Sequence, residues 1–255
     1  AALPALFSAS PRAGFAIRDV EAFRQPVAES LSYRPRSPDG LLAAVLYVNT
    51  DNLGTRPAID ISAEFLREAM PGRHFQLELL RERTDLPRFR RYGGSPAFIE
   101  GWALYAATLG EELGVYRDAE AKFGSLLEQM KCAAGLVIDT GVHAGGWSRA
   151  QAVDYLQVQA PTGSQASAEN RVDRIIARPA EALSCTVGFL EIEALRTLAQ
   201  QKLGERFDNH DFHAQMASQG ALPLDLLQAR MKLWMNVAGA QTVPDHAALP
   251  DVRRP

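Results

Sequence analysis

The sequence predicts a mainly helical protein with a small β element near its amino terminus. From residue 60 onward, apolar side chains recur at the three- and four-residue spacing of helices that bury one face. Pro and Gly residues interrupt this helix-forming part of the sequence at a few separated points. Before it, one apolar run over residues 41–48 lies between two turn regions, which is typical of a short strand.

The elements are expected in three parts. Residues 1–59 form an amino-terminal segment, in which a turn at Pro38-Asp39-Gly40 leads into the β run. Residues 60–240 form a helical lobe, whose first helix is capped by Asp60 or Ser62 and interrupted at Pro71-Gly72. Further helices are expected over residues 95–114, 118–142, 148–158, 169–204 with a break at Pro179, 211–218 and 223–236, with a loop at 160–168. The tail, 241–255, is predicted to be irregular.

Composition excludes two classes of partner. The 255 residues are 47% hydrophobic, which is enough for one large core or two small ones. A net charge of -3 and a pI near 6.0 give no reason to expect nucleic acid. No apolar run reaches the roughly 20 residues that span a bilayer. The first residues are not an intact signal peptide, so the compartment, periplasmic or cytoplasmic, stays open.

The two cysteines, Cys132 and Cys185, lie in apolar, helix-like contexts without CxxC spacing. They are interpreted as buried thiols rather than as a disulfide or a metal pair.

The stretch EFLREAMPGRHFQ, residues 64–76, is the main candidate for a functional site in the sequence. Glu68 and His74 are residues of the kind found on zinc helices, but arginines stand at positions 67 and 73. Pro71-Gly72 interrupts an apolar helix at a cost of about 3 kcal/mol for the proline alone. Such a cost is tolerated where local geometry matters, although an ordinary helix kink explains the residues equally well.

Six blocks in this order make the sequence recognisable: YVNTDNLGTRP, FLREAMPGRHFQ, FIEGWALYA, DTGVHAGGWSRAQAVDYL, RVDRIIARPAEALS and FDNHDFHAQMASQGALPLDLL. Together they resemble a large bacterial family of uncharacterised proteins, often predicted lipoproteins, related to gluzincin zinc metallopeptidases. The resemblance implies a gluzincin-like helical catalytic lobe. Family members are longer, so the chain resembles their carboxy-terminal, active-site half. A second chain or subunit that supplies the other half is therefore an expected partner.

The family signature HExxPGH, followed by EGW, implies a zinc site. Carried over by position, its two histidines fall on Arg67 and Arg73, its general base on Glu68 and its third ligand on Glu100. Arginine stays protonated and has no lone pair to give to zinc. The family's zinc is therefore predicted to be lost here, and neither a metal nor another cofactor is expected.

The resemblance also implies the remaining site residues. The retained histidine of the GLHxxGW block is His143, and the arginine of VDR is Arg174; with Glu68 these are the candidate catalytic residues. The family's tyrosine in ALSY is Cys185 here. Arg67, Arg73, His74 and Cys185 are the candidate residues for binding substrate. His210 and His213 have an i, i+3 spacing that could suit a metal, but a structural role in a helix is preferred.

The arginines have a physical rationale. Without the ion, Glu68 and Glu100 would repel each other, whereas two guanidinium groups restore the lost positive charge and bind carboxylates. We therefore expect a salt-bridge network of these four residues; the alternative is that both arginines point to solvent.

Three functions are compatible with these residues. The first is a zinc-free pseudoenzyme whose cleft binds a peptide or a partner. The second is an enzyme of non-metal chemistry that uses an arginine-rich cleft for a small anionic substrate. The third is a residual metallohydrolase that uses Glu100, His74 and His143.

Overall fold

The computed structural model describes residues 2–51, 61–161 and 164–240. Over these ranges the chain is mainly helical and has one small sheet near its amino terminus, which confirms the predicted fold class. The predicted cap Asp60 and the predicted irregular tail lie outside the described residues.

The sheet has three strands in the order β1-β3-β2: β1 Ala16–Asp19, β2 Leu31–Arg34 and β3 Val45–Val48. The central strand β3 pairs parallel with β1 and antiparallel with β2. Only β3 was predicted, as part of the apolar run. The sequences of β1 and β2, AIRD and LSYR, have no long apolar run. Their strand conformation depends on pairing with β3, which sequence periodicity does not report.

Ten α-helices are found in the described residues: α1 Ile61–Glu68, α2 Arg73–Glu82, α3 Arg88–Tyr92, α4 Pro96–Thr108, α5 Ala119–His143, α6 Arg149–Gln159, α7 Gln165–Ala177, α8 Leu183–Leu203, α9 Asn209–Ala217 and α10 Leu224–Ala240. The interruption at Pro71-Gly72 is confirmed as the junction between α1 and α2. The short α3 was not predicted. The predicted loop over 160–168 is wrong from residue 164 onward, because the Ser164 side chain caps α7.

Capping side chains set two of the helix starts at the predicted positions. Asp118 accepts a hydrogen bond from the backbone N–H of Ala121 at the start of α5. Ser148 forms a capping box with Gln151 at the start of α6. The α5 cap therefore fixes the start of the longest described helix, which forms one wall of the site below.

Two main hydrophobic clusters divide the helical lobe. The first contains Trp102, Tyr105 and Ile192, on α4 and α8. The second contains Ile138 and Leu156, on α5 and α6, together with residues of α7. A smaller group that includes both cysteines lies where α4, α5 and α8 meet. Among the described helices, none combines the length and the apolar character that a membrane crossing requires.

Candidate functional site

A cavity of about 390 Å³ lies where α1, α2, α4, α5, α7 and α8 face the amino-terminal segment. Its charged lining consists of Arg24, Glu29, Arg67, Arg73, Glu100, Arg171, Arg174, Arg178 and Glu181. Six arginines therefore face three glutamates in the lining. Such a volume is at the lower end of the range for small-molecule sites.

Arg67 and Arg73 turn inward and meet carboxylates. Arg67 Nη1 lies 2.8 Å from Glu128 Oε2, and Arg67 Nη2 lies 3.7 Å from Glu100 Oε2. Arg73 Nη2 donates to the same Glu100 oxygen, and Arg73 Nε lies 3.5 Å from Glu68 Oε1. The predicted ion pairs are confirmed, and the alternative of two solvent-directed arginines is wrong. We call these five residues the ion-pair cluster.

The junction between α1 and α2 brings the two arginines together. A Cβ at Gly72 would lie 1.8 Å from Arg67 O, so only glycine allows α2 to start this close to the end of α1. The indole N–H of Trp102 donates to Pro71 O at 2.9 Å, and Gln76 donates to Ile99 O at 2.8 Å. These bonds hold the junction, in which the Met70–Pro71 bond is cis, against α4 and thus beside Glu100.

Glu128 is the member of the cluster that the sequence did not reveal. Its side chain is 3% exposed and also lies 2.9 Å from the ammonium of Lys131, one helical turn away on α5. Burial alone would raise the pKa of Glu128, but Lys131 and Arg67 lower it to about 2. Glu128 is therefore ionised throughout the physiological range.

Glu68, the predicted general base, is buried and constrained. Burial raises its pKa, although Arg73 and Arg67 oppose that change. One of its oxygens accepts the backbone N–H of Tyr33 at 3.1 Å, and the other faces the two arginines. Glu68 thus ties β2 to α1.

The interpretation of Cys132 and Cys185 as free thiols is wrong. They form a disulfide between α5 and α8, with Cα atoms 5.9 Å apart, in the wall of the cavity. The Cys185 sulfur lies 3.8 Å from Arg67 Nη2. The two helices pack side by side, and a separation of 53 residues gives no sign of that contact in the sequence.

Two histidines predicted at the site lie elsewhere. His74 follows Arg73 on α2, and adjacent helical residues point about 100° apart. It is buried against Tyr33 Oη and the Ala13 carbonyl, both at 3.0 Å. His143 ends α5, fifteen residues or about 22 Å along the helix from Glu128. Its Nε2 lies 3.1 Å from Ile175 O, so it does not join Glu68 and Glu100.

Arg174, a candidate catalytic residue, lines the cavity. Its guanidinium lies 3.0 Å from Glu29 Oε1 and donates to Val27 O at 3.2 Å. His210 and His213 do not form a pair: His210 contacts Pro4 O, whereas His213 is buried between Tyr105 Oη and Leu6 O. The structural interpretation of His213 therefore agrees with its contacts.

The residues do not fit the zinc that the resemblance implies. Guanidinium groups, which have no lone pair to donate, stand at positions 67 and 73 and contact Glu100 and Glu68. Over residues 2–51, 61–161 and 164–240, no group of three or more His, Cys, Asp or Glu could hold a metal ion.

Residues 1–231 match the family described as "Bacterial protein of unknown function (DUF885)". The chain belongs to the DUF885 family. A search of the curated proteins found no match.

Two solved structures resemble this DUF885 chain. One is described as "the putative lipoprotein from Colwellia psychrerythraea": it is 30% identical with a TM-score of 0.89, and the match covers 92% of this chain and 40% of that one. The other is "a putative lipoprotein of unknown function from Shewanella oneidensis". It is 21% identical with a TM-score of 0.74, and the match covers 89% of this chain and 42% of that one. The chain therefore spans about two fifths of the length of each. The second likeness shows the fold alone.

Sequence reasoning missed Arg171 and Arg178 as cavity residues, although a signal for them exists. Together with Arg174 they stand at i, i+3 and i+7, a spacing that puts side chains on one face of a helix. Glu29 carries no such signal, because it lies outside the regular elements and reaches the cavity only through tertiary packing.

Proposed function

We propose that this DUF885 chain is a zinc-free, catalytically degenerate homologue of metallopeptidases, whose cavity binds a ligand without metal-dependent hydrolysis. The observation that carries the proposal is the contact of Arg67 and Arg73 with Glu68 and Glu100. These are the positions at which the resemblance implies two zinc ligands, the base and the third ligand.

Charge supports the same conclusion. Removing a dication from beside buried carboxylates leaves negative charge that raises their pKa values. Two guanidinium groups supply two positive charges at the same place, with hydrogen bonds of defined direction. Burial would lower the pKa of Arg67, yet Glu128, Glu68 and Glu100 raise it, so the guanidinium charge is permanent. A zinc ion would have to enter against both arginines.

Elemental analysis tests the proposal. The purified protein is expected to hold no stoichiometric zinc and to show no chelator-sensitive peptide cleavage. At an effective dielectric of about 20, one like charge roughly 4 Å away opposes each unit of ion charge by about 4 kcal/mol. Arg67→His with Arg73→His should restore about one zinc per chain. Either change alone should restore little, because one histidine ligand would still be missing and the remaining arginine would still contact Glu100.

The matched control is Arg12→His with Arg117→His, which makes the same change at two exposed positions. It should leave the zinc content as low as in the parent protein. Stoichiometric zinc in the parent, held by Glu100, would overturn the proposal.

The second candidate is an enzyme of non-metal chemistry that acts on an anionic substrate. The arginine-rich lining favours an anion. The raised pKa of Glu68 suits a base, but both of its oxygens are already engaged, and for this reason the candidate stands second. Chelator-resistant turnover of an anionic substrate would favour it. The residual metallohydrolase is set aside, because His74 and His143 do not approach Glu100.

A further inference from the structure

The arginines of the cavity differ in how well their charge is balanced. Arg67 and Arg73 belong to the ion-pair cluster, and Arg174 lies 3.0 Å from Glu29. Arg178 is exposed and pairs with Glu181 at 3.0 Å. These four guanidinium groups are each within 4.0 Å of a carboxylate.

Arg171 is the exception among the arginines that line the cavity. Within the described part of the chain, its guanidinium makes one hydrogen bond, from Nη2 to the carbonyl of Lys131 at 3.1 Å, and no ion pair. Its Nε is buried and has no hydrogen-bond partner, as is also true of Nε in Arg67 and Arg73. The donors that Arg171 can offer a ligand are therefore those of Nη1 and the second N–H of Nη2. Glu29 is the acid that acts on it most strongly, but Glu29 pairs with Arg174.

Burying a cation without a counter-ion is unfavourable, and this cost appears as a change in the pKa of Arg171. Burial lowers the pKa of Arg171, whereas carboxylates raise that of Arg67. An oxyanion bound beside the guanidinium would supply the missing counter-charge through charge-assisted hydrogen bonds. Because Arg171 lines the cavity, that ligand has a place to bind.

We propose that Arg171 anchors an oxyanion site on the α7 wall of this cavity, which takes the carboxylate or phosphate group of a small ligand. The site rests on the proposed function, since it specifies what the zinc-free cavity binds. A planar guanidinium donates two parallel hydrogen bonds to an oxyanion, which a spherical anion such as chloride cannot accept. Ile175 and Gly135, which lie near Arg171, are two apolar residues of the lining that the remainder of the ligand could contact.

Titration calorimetry in Tris-chloride buffer tests the site, with inorganic phosphate and malonate as separate probes for the two oxyanion chemistries. At least one probe is expected to bind the parent protein with one site per chain. Arg171→Gln should weaken that binding at least tenfold. The affinity of Arg171→Lys should lie between those of the parent protein and Arg171→Gln, because lysine keeps the positive charge but cannot donate two parallel hydrogen bonds. The control Arg117→Gln removes an exposed arginine outside the cavity and should bind like the parent.

The unfolding temperature in the same buffer without either probe gives an independent check. Arg171→Gln should melt at or above the parent protein, because it removes a charge that has no counter-ion. A parent protein that binds neither probe, an Arg171→Gln variant that binds as tightly as Arg117→Gln, or an Arg171→Gln variant that fails to fold would each overturn the site. Zinc measured on the same samples separates the two proposals. Zinc-free protein with unaltered binding in Arg171→Gln refutes this site alone, whereas stoichiometric zinc refutes the proposed function.

Discussion

Arg67 is the residue around which the ion-pair cluster is arranged. Its guanidinium lies among three carboxylates. The nitrogen-to-oxygen distances are 2.8 Å to Glu128, 3.7 Å to Glu100 and 4.0 Å to Glu68. Arg67 and Arg73 with Glu68 and Glu100 would by themselves be a balanced set of four charges. Glu128 is an additional anion, and Lys131 balances it. Together with Lys131, the five residues of the ion-pair cluster therefore carry no net charge, which lowers the cost of burying them.

Neutralising Glu128 tests that balance. Glu128→Gln removes the buried carboxylate that lies 2.8 Å from Arg67 and 2.9 Å from Lys131, and breaking a buried pair in this way costs about 3–5 kcal/mol. Urea unfolding at pH 7 should show a loss of this size. The control Glu111→Gln breaks a pair with Lys122 whose two side chains are more than half exposed, and it should cost less than about 1 kcal/mol.

The same carboxylate predicts an acid-dependent loss of stability. The folded pKa of Glu128 is about 2 against an ordinary 4.5, so its contribution is complete above pH 4.5 and is lost as the pH falls toward 2. A difference of about 2.5 units corresponds to about 3 kcal/mol. Unfolding free energies between pH 5 and pH 2 should fall more steeply for the parent than for Glu128→Gln. Parallel curves would show that Glu128 does not supply this dependence.

At the scale of elements, the contact between α4 and α8 sets the position of Glu100. A Cβ at Gly101 would lie 2.3 Å from Gly188 C, and a Cβ at Gly188 would lie 1.7 Å from Ala97 O. The two backbones therefore touch, which places Glu100 and Cys185 in the same cavity wall. Glycines at this contact act through close approach and not through a special backbone angle.

Gly188→Ala is expected to force the two helices apart. Overpacking of this kind costs about 1–3 kcal/mol or more, and urea unfolding should show it. The control is Gly239→Ala in α10, where the nearest side-chain atom would be 4.0 Å away. Because alanine is the better helix former, that change should be neutral or stabilising by about 0.5–1 kcal/mol. Equal effects at the two positions would mean that α4 and α8 are not in close contact.

For the whole molecule, the sequence predicted what depends on local pattern. The helical class, the junction at Pro71-Gly72 and the helix starts near residues 118 and 148 follow from periodicity and from residues that begin helices. The Arg67 and Arg73 ion pairs followed from charge balance at positions that a resemblance had brought together. Contacts between distant segments had no such signal: β1 and β2 needed a partner strand, and Glu128 needed α5 to pass beside α1.

The disulfide joins the two halves of the helical lobe. Cys132 lies on α5, which packs with α6 and α7, and Cys185 lies on α8, which packs with α4 and α10. The cavity lies where these halves meet, and both cysteines line it. The link therefore restrains the two walls that carry Arg171 and Glu100.

Removing this link should destabilise the whole lobe. A bond across 53 residues of chain restricts the unfolded state by an amount worth about 4 kcal/mol in the chain-entropy model. Dithiothreitol should lower the unfolding free energy of the parent by about this amount, whereas Cys132→Ser with Cys185→Ser should start at the lower value and not respond to the reductant. The double variant serves as the control, because any effect of dithiothreitol on it would come from outside the disulfide. A parent protein whose urea unfolding curve is the same with and without reductant would show that the link does not hold the two halves together in solution.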